Sequence, residues 1–238
     1  MFLQAFGDGA ITQPSGGEVG DPGVDALADR RQRFWHGERR PRCAADLRYP
    51  WPSVAPQRAA ELEARALDWA RAQRLLEREG PGRFAAVGVG LLTALTYPGA
   101  APARQALLAQ FFGWIFLQDD SFDERGDAQS RGRLERHVED CARALAGEPP
   151  PPRACHRLRA LSDLRRRLAE TLAPTELERF RRSMDAYLRN GVLAEHALRR
   201  AGRRPSASAY LRARRYSVCL LPPLELAGWA HGVETAPA

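Results

Sequence analysis

The chain has 238 residues, enough for one domain with a sizeable hydrophobic core. Hydrophobic residues make up 44% and charged residues 27%, which is typical of a globular protein, and no apolar run approaches the length of a membrane span. The net charge is +7, and all 36 basic residues are arginine. Because the arginines are spread along predicted helices without any nucleic-acid-binding motif, we expect no nucleic-acid partner. GC-rich coding explains most of them, and affinity for an anionic ligand is the functional alternative.

Cysteines and histidines give no sign of a zinc site or a disulfide framework. The four cysteines lack CxxC spacing, and the start of the chain lacks the cationic stretch of a secretion signal, so we expect a cytoplasmic protein. His137, His156 and His196 lie on separate polar segments and are interpreted as surface or capping residues.

The predicted elements follow a long irregular segment. Residues 1–45 are rich in Gly, Pro, Asp and Arg without a sustained period, so we predict that they are mostly disordered. Residues 49–53 contain two prolines and are predicted to form an extended strap. From about residue 57 onward, apolar residues recur at helical spacing and no segment alternates as a strand does. The predicted helices are, in order, 57 to a break at 80–82, 84–95, 107–124, 131–146, 155–172, 174–200 and 206–221. The predicted fold class is therefore all-α.

An acidic cluster follows the most hydrophobic segment of the chain. The apolar run 111–117 leads directly into Asp119, Asp120, Asp123 and Glu124. Continued by one turn, the helix puts Asp119 and Asp123 on one face. Like charges at this spacing destabilise a helix unless a cation lies between them, and carboxylate oxygens suit Mg²⁺, which is usually held together with substrate phosphates. We favour a metal site over a solvated helix end.

A second polar segment opens the last predicted helix. Residues 210–217 carry three arginines in four positions, which alone is typical of a solvated helix face. In order with the strap, with residues 95–98 and with the acidic cluster, however, this segment resembles the bacterial class I terpene synthases (terpene cyclases). The resemblance covers about residues 47–230. Residues 119–123 match the DDxxD motif of that family, and its DDxxxE variant is satisfied as well.

The resemblance implies an all-α class I terpenoid synthase bundle over residues 46–238, around a deep apolar pocket that three Mg²⁺ ions close over a prenyl diphosphate. Asp119 would be the principal metal ligand and a catalytic residue, assisted by Asp123 or Glu124. Asp120 in such motifs more often turns aside to bind basic residues.

Three residues of the last predicted helix take roles through the same resemblance. Arg215 matches the arginine that senses diphosphate and is the second predicted catalytic residue. Val218 and Cys219 fall where a linker and a small effector residue carry diphosphate binding into a helix break. The effector is often glycine, so Cys219 departs from the pattern.

Aromatic side chains are expected to shield the carbocation that remains when diphosphate leaves. Phe116, one turn before Asp119, is the first candidate for this wall and for substrate binding. Phe112 and Tyr187 are weaker candidates, for which an ordinary core position is the better interpretation.

Two motifs of the family are missing from this sequence. Asn190 is the only asparagine, and no serine or glutamate follows it at the spacing of the second metal motif, NDxxSxxxE. The RY pair near the end of the family's chains is absent too. We therefore expect the N-terminal two-thirds of a synthase domain, a bundle incomplete at its C-terminus, exposed hydrophobic surface, and little turnover by this chain alone.

Because one metal motif is present and two other family motifs are missing, three functions remain as alternatives. The first is a lyase that uses Mg²⁺ to ionise and cyclise a prenyl diphosphate, with farnesyl diphosphate favoured and diphosphate released. The second is an inactive fragment or half-enzyme that binds Mg²⁺ and diphosphate weakly, or needs a separate C-terminal partner or a homodimer. A head-to-tail prenyltransferase ranks last, because it would carry a second DDxxD motif.

Overall fold

The structure is a computed structural model that describes part of the chain, all of it within one unit, residues 50–238. The described residues are 58–76, 80–123, 128–201 and 205–233. For residues 120–123 and 128–131 only the backbone is described. The predictions for the first 45 residues, the strap and Glu124 lie outside this part.

Every regular element in the described residues is helical, so the prediction of an all-α fold is confirmed. The helices are α1 Ala59–Ala72, α2 Gly80–Val87, α3 Val89–Thr96, α4 Pro102–Asp123, α5 Ala128–Ala146, α6 His156–Ala169, α7 Pro174–Ala186, α8 Leu193–Arg200, α9 Ala207–Ser217, α10 Leu221–Glu225 and α11 Ala227–His231. A π-helical turn, Tyr187–Val192, joins α7 to α8. No helix of the described part combines the length and hydropathy needed to cross a membrane.

Helix α4 forms the centre of the described bundle. Residues 105–115 are all buried, because α4 packs against α1, α3 and α6 on different sides. Its buried glutamines are hydrogen-bonded: Gln105 donates to the carbonyl oxygen of Tyr97 at 2.7 Å, and Gln118 bonds to His137 at 2.8 Å. This central position presents the acidic end of α4 to the elements that surround it.

The first predicted helix boundaries need correction. The segment 80–82, predicted to be a break, instead begins α2, because proline is tolerated in the first turn of a helix. The second predicted helix is divided at Gly88, whose φ of 72° interrupts the helical backbone. Beyond it, α3 lies so close to α1 that a Cβ on Gly90 would be 2.2 Å from the carbonyl oxygen of Ala59.

The last two helices are attached to the bundle by polar contacts. The hydroxyl of Tyr97 donates to the carbonyl oxygen of Pro223 at 2.7 Å, and Arg179 on α7 pairs with Glu225 at 3.1 Å. The indole of Trp229 donates to Thr171 at 3.2 Å. These contacts hold α10 and α11 in place directly after the interruption that follows α9.

Candidate active site

The end of α4 is the first component of the candidate site. The helix continues through Asp123, so Asp119 and Asp123 lie one helical turn apart, as predicted. Asp119 is half-buried and follows Gln118, which is fully buried. The side chain of Asp123 is outside the description. Within the acidic cluster, the structure describes the side chain of Asp119.

The interruption after α9 is the second component. Helix α9 ends at Ser217, four residues before the predicted end, and Cys219 has a φ of 52°. This left-handed conformation is the one that glycine adopts without strain, and a side chain there costs roughly 1 kcal/mol. The expected helix break therefore exists, even though the residue is cysteine.

The π-helical turn is the third component, and the sequence did not predict it. Residues 174–200 were expected to form one helix, but the turn Tyr187–Val192 interrupts it. A Cβ on Gly191 would lie 2.7 Å from the amide nitrogen of Ser217 and 2.8 Å from its Cα, so only glycine permits this approach. The turn is thereby docked on the end of α9, just before the break.

Electrostatic interactions link the three components. Burial raises the pKa of the Cys219 thiol well above its usual range, and the Asp119 carboxylate raises it further. Burial likewise raises the pKa of the Tyr187 phenol, and Cys219 and Asp119 add to that effect. The Asp119 carboxylate at the end of α4 therefore acts on both the Cys219 thiol in the break and the Tyr187 phenol in the π-helical turn.

The two neighbouring arginines of α9 have different surroundings. Arg214 pairs with Glu195 at 3.3 Å and also contacts the hydroxyl of Ser217. Arg215 is exposed, with its guanidinium carbon 5.8 Å from the ring centroid of Tyr216. One arginine thus attaches α9 to α8, whereas the predicted diphosphate-sensing arginine is accessible to a ligand.

Glu195 is a residue whose role the sequence analysis missed. Its side chain, 17% exposed, accepts hydrogen bonds from Ser217 and Arg214 and so ties α8 to α9 immediately before the break. No local pattern indicates this role, since its partners lie 19 and 22 residues further along the chain.

The aromatic candidates differ in burial. Phe116 is half-buried against the core, whereas Phe112 is buried, with its ring centroid 6.1 Å from that of Phe111 and 6.3 Å from that of Tyr97. Tyr187 is 2% exposed. Phe112 is therefore a core residue, as expected. Val218, the predicted linker residue at the break, is 38% exposed.

The interpretation as surface or capping residues is wrong for His196 and His137. His196 is buried. His137 is half-buried and bonds to Gln118, directly before Asp119, with the thiol of Cys141 at 3.5 Å. Burial, together with the nearby Arg157 guanidinium, lowers the pKa of His137. This hydrogen bond attaches the end of α4 to α5.

Among the described residues, no three His, Cys, Asp or Glu side chains are arranged as a metal site. An open groove of about 730 Å³ lies between α8 and α9, lined partly by Leu193, Ala197 and Tyr216. Its lining includes neither Asp119 nor Phe116, so it is not the deep apolar pocket that the resemblance implies.

Solved structures identify the fold as that of the class I terpene synthases. A linalool/nerolidol synthase from Streptomyces clavuligerus, solved with 2-fluorogeranyl diphosphate, matches with a TM-score of 0.67 and 27% identity over 80% of this chain and 61% of that one. The ancestral reconstruction SVS_A2 matches with a TM-score of 0.71 and 24% identity over 79% of this chain and 58% of that one.

Sequence comparison gives the family. The profile described as "Terpene synthase family 2, C-terminal metal binding" matches residues 110–238, more than half of the chain. Similar proteins include a (+)-T-muurolol synthase of Roseiflexus castenholzii, 29% identical over 80% of this chain and 58% of its own length. A pristinol synthase of Streptomyces pristinaespiralis is 30% identical over 77% of this chain and 50% of its own length. The chain belongs to the terpene synthase family and spans about half the length of these relatives.

Proposed function

We propose that this chain supplies the metal-binding and diphosphate-binding side of a class I terpene synthase, which ionises and cyclises a prenyl diphosphate and releases diphosphate. The observation that carries the proposal is that the Asp119 carboxylate, at the end of α4, acts electrostatically on the thiol of Cys219, in the left-handed break after α9. In this proposal the Asp119 carboxylate and helix α9, which carries Arg215, lie on either side of the diphosphate site. The name of a similar protein, which cyclises farnesyl diphosphate, favours a fifteen-carbon substrate.

The donor chemistry of the acidic helix end fits Mg²⁺. Asp119 and Asp123 are carboxylates one turn apart, and Glu124 continues the acidic run. Carboxylate oxygens with substrate phosphates are the usual ligands of Mg²⁺, of which the resemblance implies three. We assign Asp119 as the main ligand, assisted by Asp123 or Glu124. When bound, Mg²⁺ neutralises the charge that develops on the departing diphosphate.

The broken helix supplies the ligands for diphosphate. The accessible guanidinium of Arg215 offers a planar donor pair that matches phosphate oxygens, and we assign it to substrate binding and ionisation. We also assign Val218 and Cys219, at the break, to substrate binding, as the resemblance implies.

The aromatic residue nearest to the acidic end is proposed to protect the cation. Phe116 precedes Asp119 by three residues and is half-buried against the core, so its ring remains partly accessible. An aromatic face stabilises a desolvated cation by about 1 kcal/mol or more and carries no nucleophile.

A second candidate function is binding of Mg²⁺ and diphosphate without turnover, either alone or with a second polypeptide that completes the bundle. Its support is the large apolar side chains that α9 and the segment after it leave exposed. These residues are Leu211, Val218, Leu220, Leu221, Leu224 and Val233. Apolar side chains concentrated in one region are typical of a surface that contacts a partner.

Calorimetric titration of the purified chain with inorganic diphosphate tests the shared part of both candidates. We expect binding that requires Mg²⁺ and is weakened at least about tenfold in Asp119→Asn, which removes the charge without changing the shape. The matched control is Asp140→Asn, because that carboxylate pairs with Arg143 on the surface of α5. Absence of Mg²⁺-dependent binding would contradict both candidates.

Incubation with Mg²⁺ and farnesyl diphosphate separates the two candidates. Volatile hydrocarbons or alcohols detected by gas chromatography, and lost in Asp119→Asn, would support the synthase. Diphosphate binding without any such product would support the binding-only candidate.

A further inference from the structure

Tyr187, in the π-helical turn, carries a buried hydroxyl that makes no hydrogen bond in the part of the chain that the structure describes. Its side chain is 2% exposed, and within the described residues its phenolic oxygen makes no hydrogen bond. Buried hydroxyls are nearly always paired, since an unpaired one loses its hydrogen bonds to water without replacement. Tyr97 shows the ordinary situation: it is also 2% exposed, and its hydroxyl donates to Pro223 at 2.7 Å.

The surroundings of Tyr187 belong to the candidate site. The groups that act on its phenol are Cys219 from the break after α9, Asp119 from α4, Glu195 from α8 and Cys141 from α5. A tyrosine phenol, with an ordinary pKa of about 10, keeps its proton at physiological pH. A neutral phenol in this place is an available hydrogen-bond donor.

The backbone at Tyr187 is unusual as well. Tyr187 is the first residue of the π-helical turn, a conformation that is rare and frequently found at functional sites. The turn ends against α9, where Gly191 contacts the backbone of Ser217. The irregular turn and the unpaired hydroxyl therefore occur at one position, beside the acidic end of α4 and the break.

The ligand that satisfies this hydroxyl must offer an acceptor. Of the two parts of a prenyl diphosphate, the hydrocarbon tail has none, whereas the diphosphate is rich in acceptor oxygens. The diphosphate is also the part that the proposed function brings between Asp119 and the break at Cys219.

We propose that the hydroxyl of Tyr187 donates a hydrogen bond to an oxygen of the bound diphosphate. The proposal rests on the proposed function and adds to it a substrate-binding residue from the π-helical turn. Tyr187 then contributes its polar tip, and not only its ring, to the site.

Tyr187→Phe tests the proposal, because it removes one oxygen and keeps the ring. The probe is inorganic diphosphate with Mg²⁺, measured by calorimetry, together with the melting temperature of each unliganded variant. We expect the dissociation constant to rise about five- to tenfold and the melting temperature to stay the same or increase, since the lost oxygen had no partner. Tyr97→Phe is the matched control: it should lower the melting temperature and leave the dissociation constant unchanged.

Three outcomes would overturn the inference. If the original chain binds diphosphate and Tyr187→Phe binds it equally well, the inference is wrong and the proposed function stands. If Tyr187→Phe lowers the melting temperature as much as Tyr97→Phe does, the hydroxyl is structural. If the original chain does not bind Mg²⁺ and diphosphate, the proposed function fails and the inference with it.

Discussion

A Cβ on Gly191 would lie 2.7 Å from the amide nitrogen of Ser217, so the π-helical turn touches the end of α9 at a point where no other residue fits. Gly191 belongs to the turn that begins at Tyr187, and Ser217 lies two residues before Cys219. This contact therefore limits the distance between the π-helical turn and the break after α9.

Gly191→Ala should destabilise the protein by about 2–3 kcal/mol, because the new methyl group meets backbone atoms that cannot rotate away. In a protein of this size that corresponds to a fall of roughly 5–10 °C in melting temperature. Gly132→Ala on α5 is the control: the nearest atom to its new Cβ is the end of the Arg136 side chain, at 3.6 Å. Because alanine favours the helical conformation more than glycine does, Gly132→Ala should stabilise the folded protein by about 0.5–1 kcal/mol. Equal effects at both positions would contradict the close contact.

The left-handed backbone of Cys219 predicts an unusual order of stability among its variants. Cys219→Gly and Cys219→Ala both lose the buried thiol, but only glycine adopts a φ of 52° without strain. The glycine variant should therefore be the more stable by about 1 kcal/mol, as measured by urea denaturation. At Gly132 the order is reversed, with alanine the more stable. A more stable alanine variant at position 219 would show that the residue is not left-handed.

Substituting the two neighbouring arginines of α9 should have different effects, one on diphosphate binding and the other on the stability of the fold. Arg215→Ala should weaken diphosphate binding about tenfold to one-hundredfold, because charge-assisted hydrogen bonds are lost, and should leave the melting temperature unchanged. Arg214→Ala should lower the melting temperature, because it breaks the contacts with Glu195 and Ser217. Calorimetry and thermal unfolding of both variants check this prediction. The reverse pattern would mean that Arg214 is the diphosphate ligand.

His137 should make stability depend on pH. Its pKa is lowered in the folded protein from an ordinary value of 6.5, so the unfolded chain binds the proton more readily. Stability should thus be fully present above about pH 6.5 and decline as the pH falls below it. Melting temperatures between pH 5 and 8 should show this slope, and His137→Gln should reduce it. His156→Gln, which leaves the bond between Gln118 and His137 intact, is the control and should keep the slope.

The extent of the main helices was predictable, because helix formation is encoded in spacings of three and four residues. The apolar residues of α4 and the acidic cluster at its end are local features, and helical geometry alone puts Asp119 and Asp123 one turn apart. The order of motifs was also sufficient to suggest the terpene synthase family. The short interruptions at Gly88 and in the π-helical turn were missed, because the apolar period continues across them.

The sequence by itself determined the helical class, the acidic end of α4 and the position of the arginine-bearing helix, since each depends on neighbours within a turn or two. Only the tertiary structure decided that His137 bonds to Gln118, that Glu195 holds Ser217, and that Asp119 and Cys219 act on the buried phenol of Tyr187. These relationships join residues about twenty or more positions apart. They arise from how closely helices pack, which depends on the shapes of both surfaces and not on the periodicity of either one.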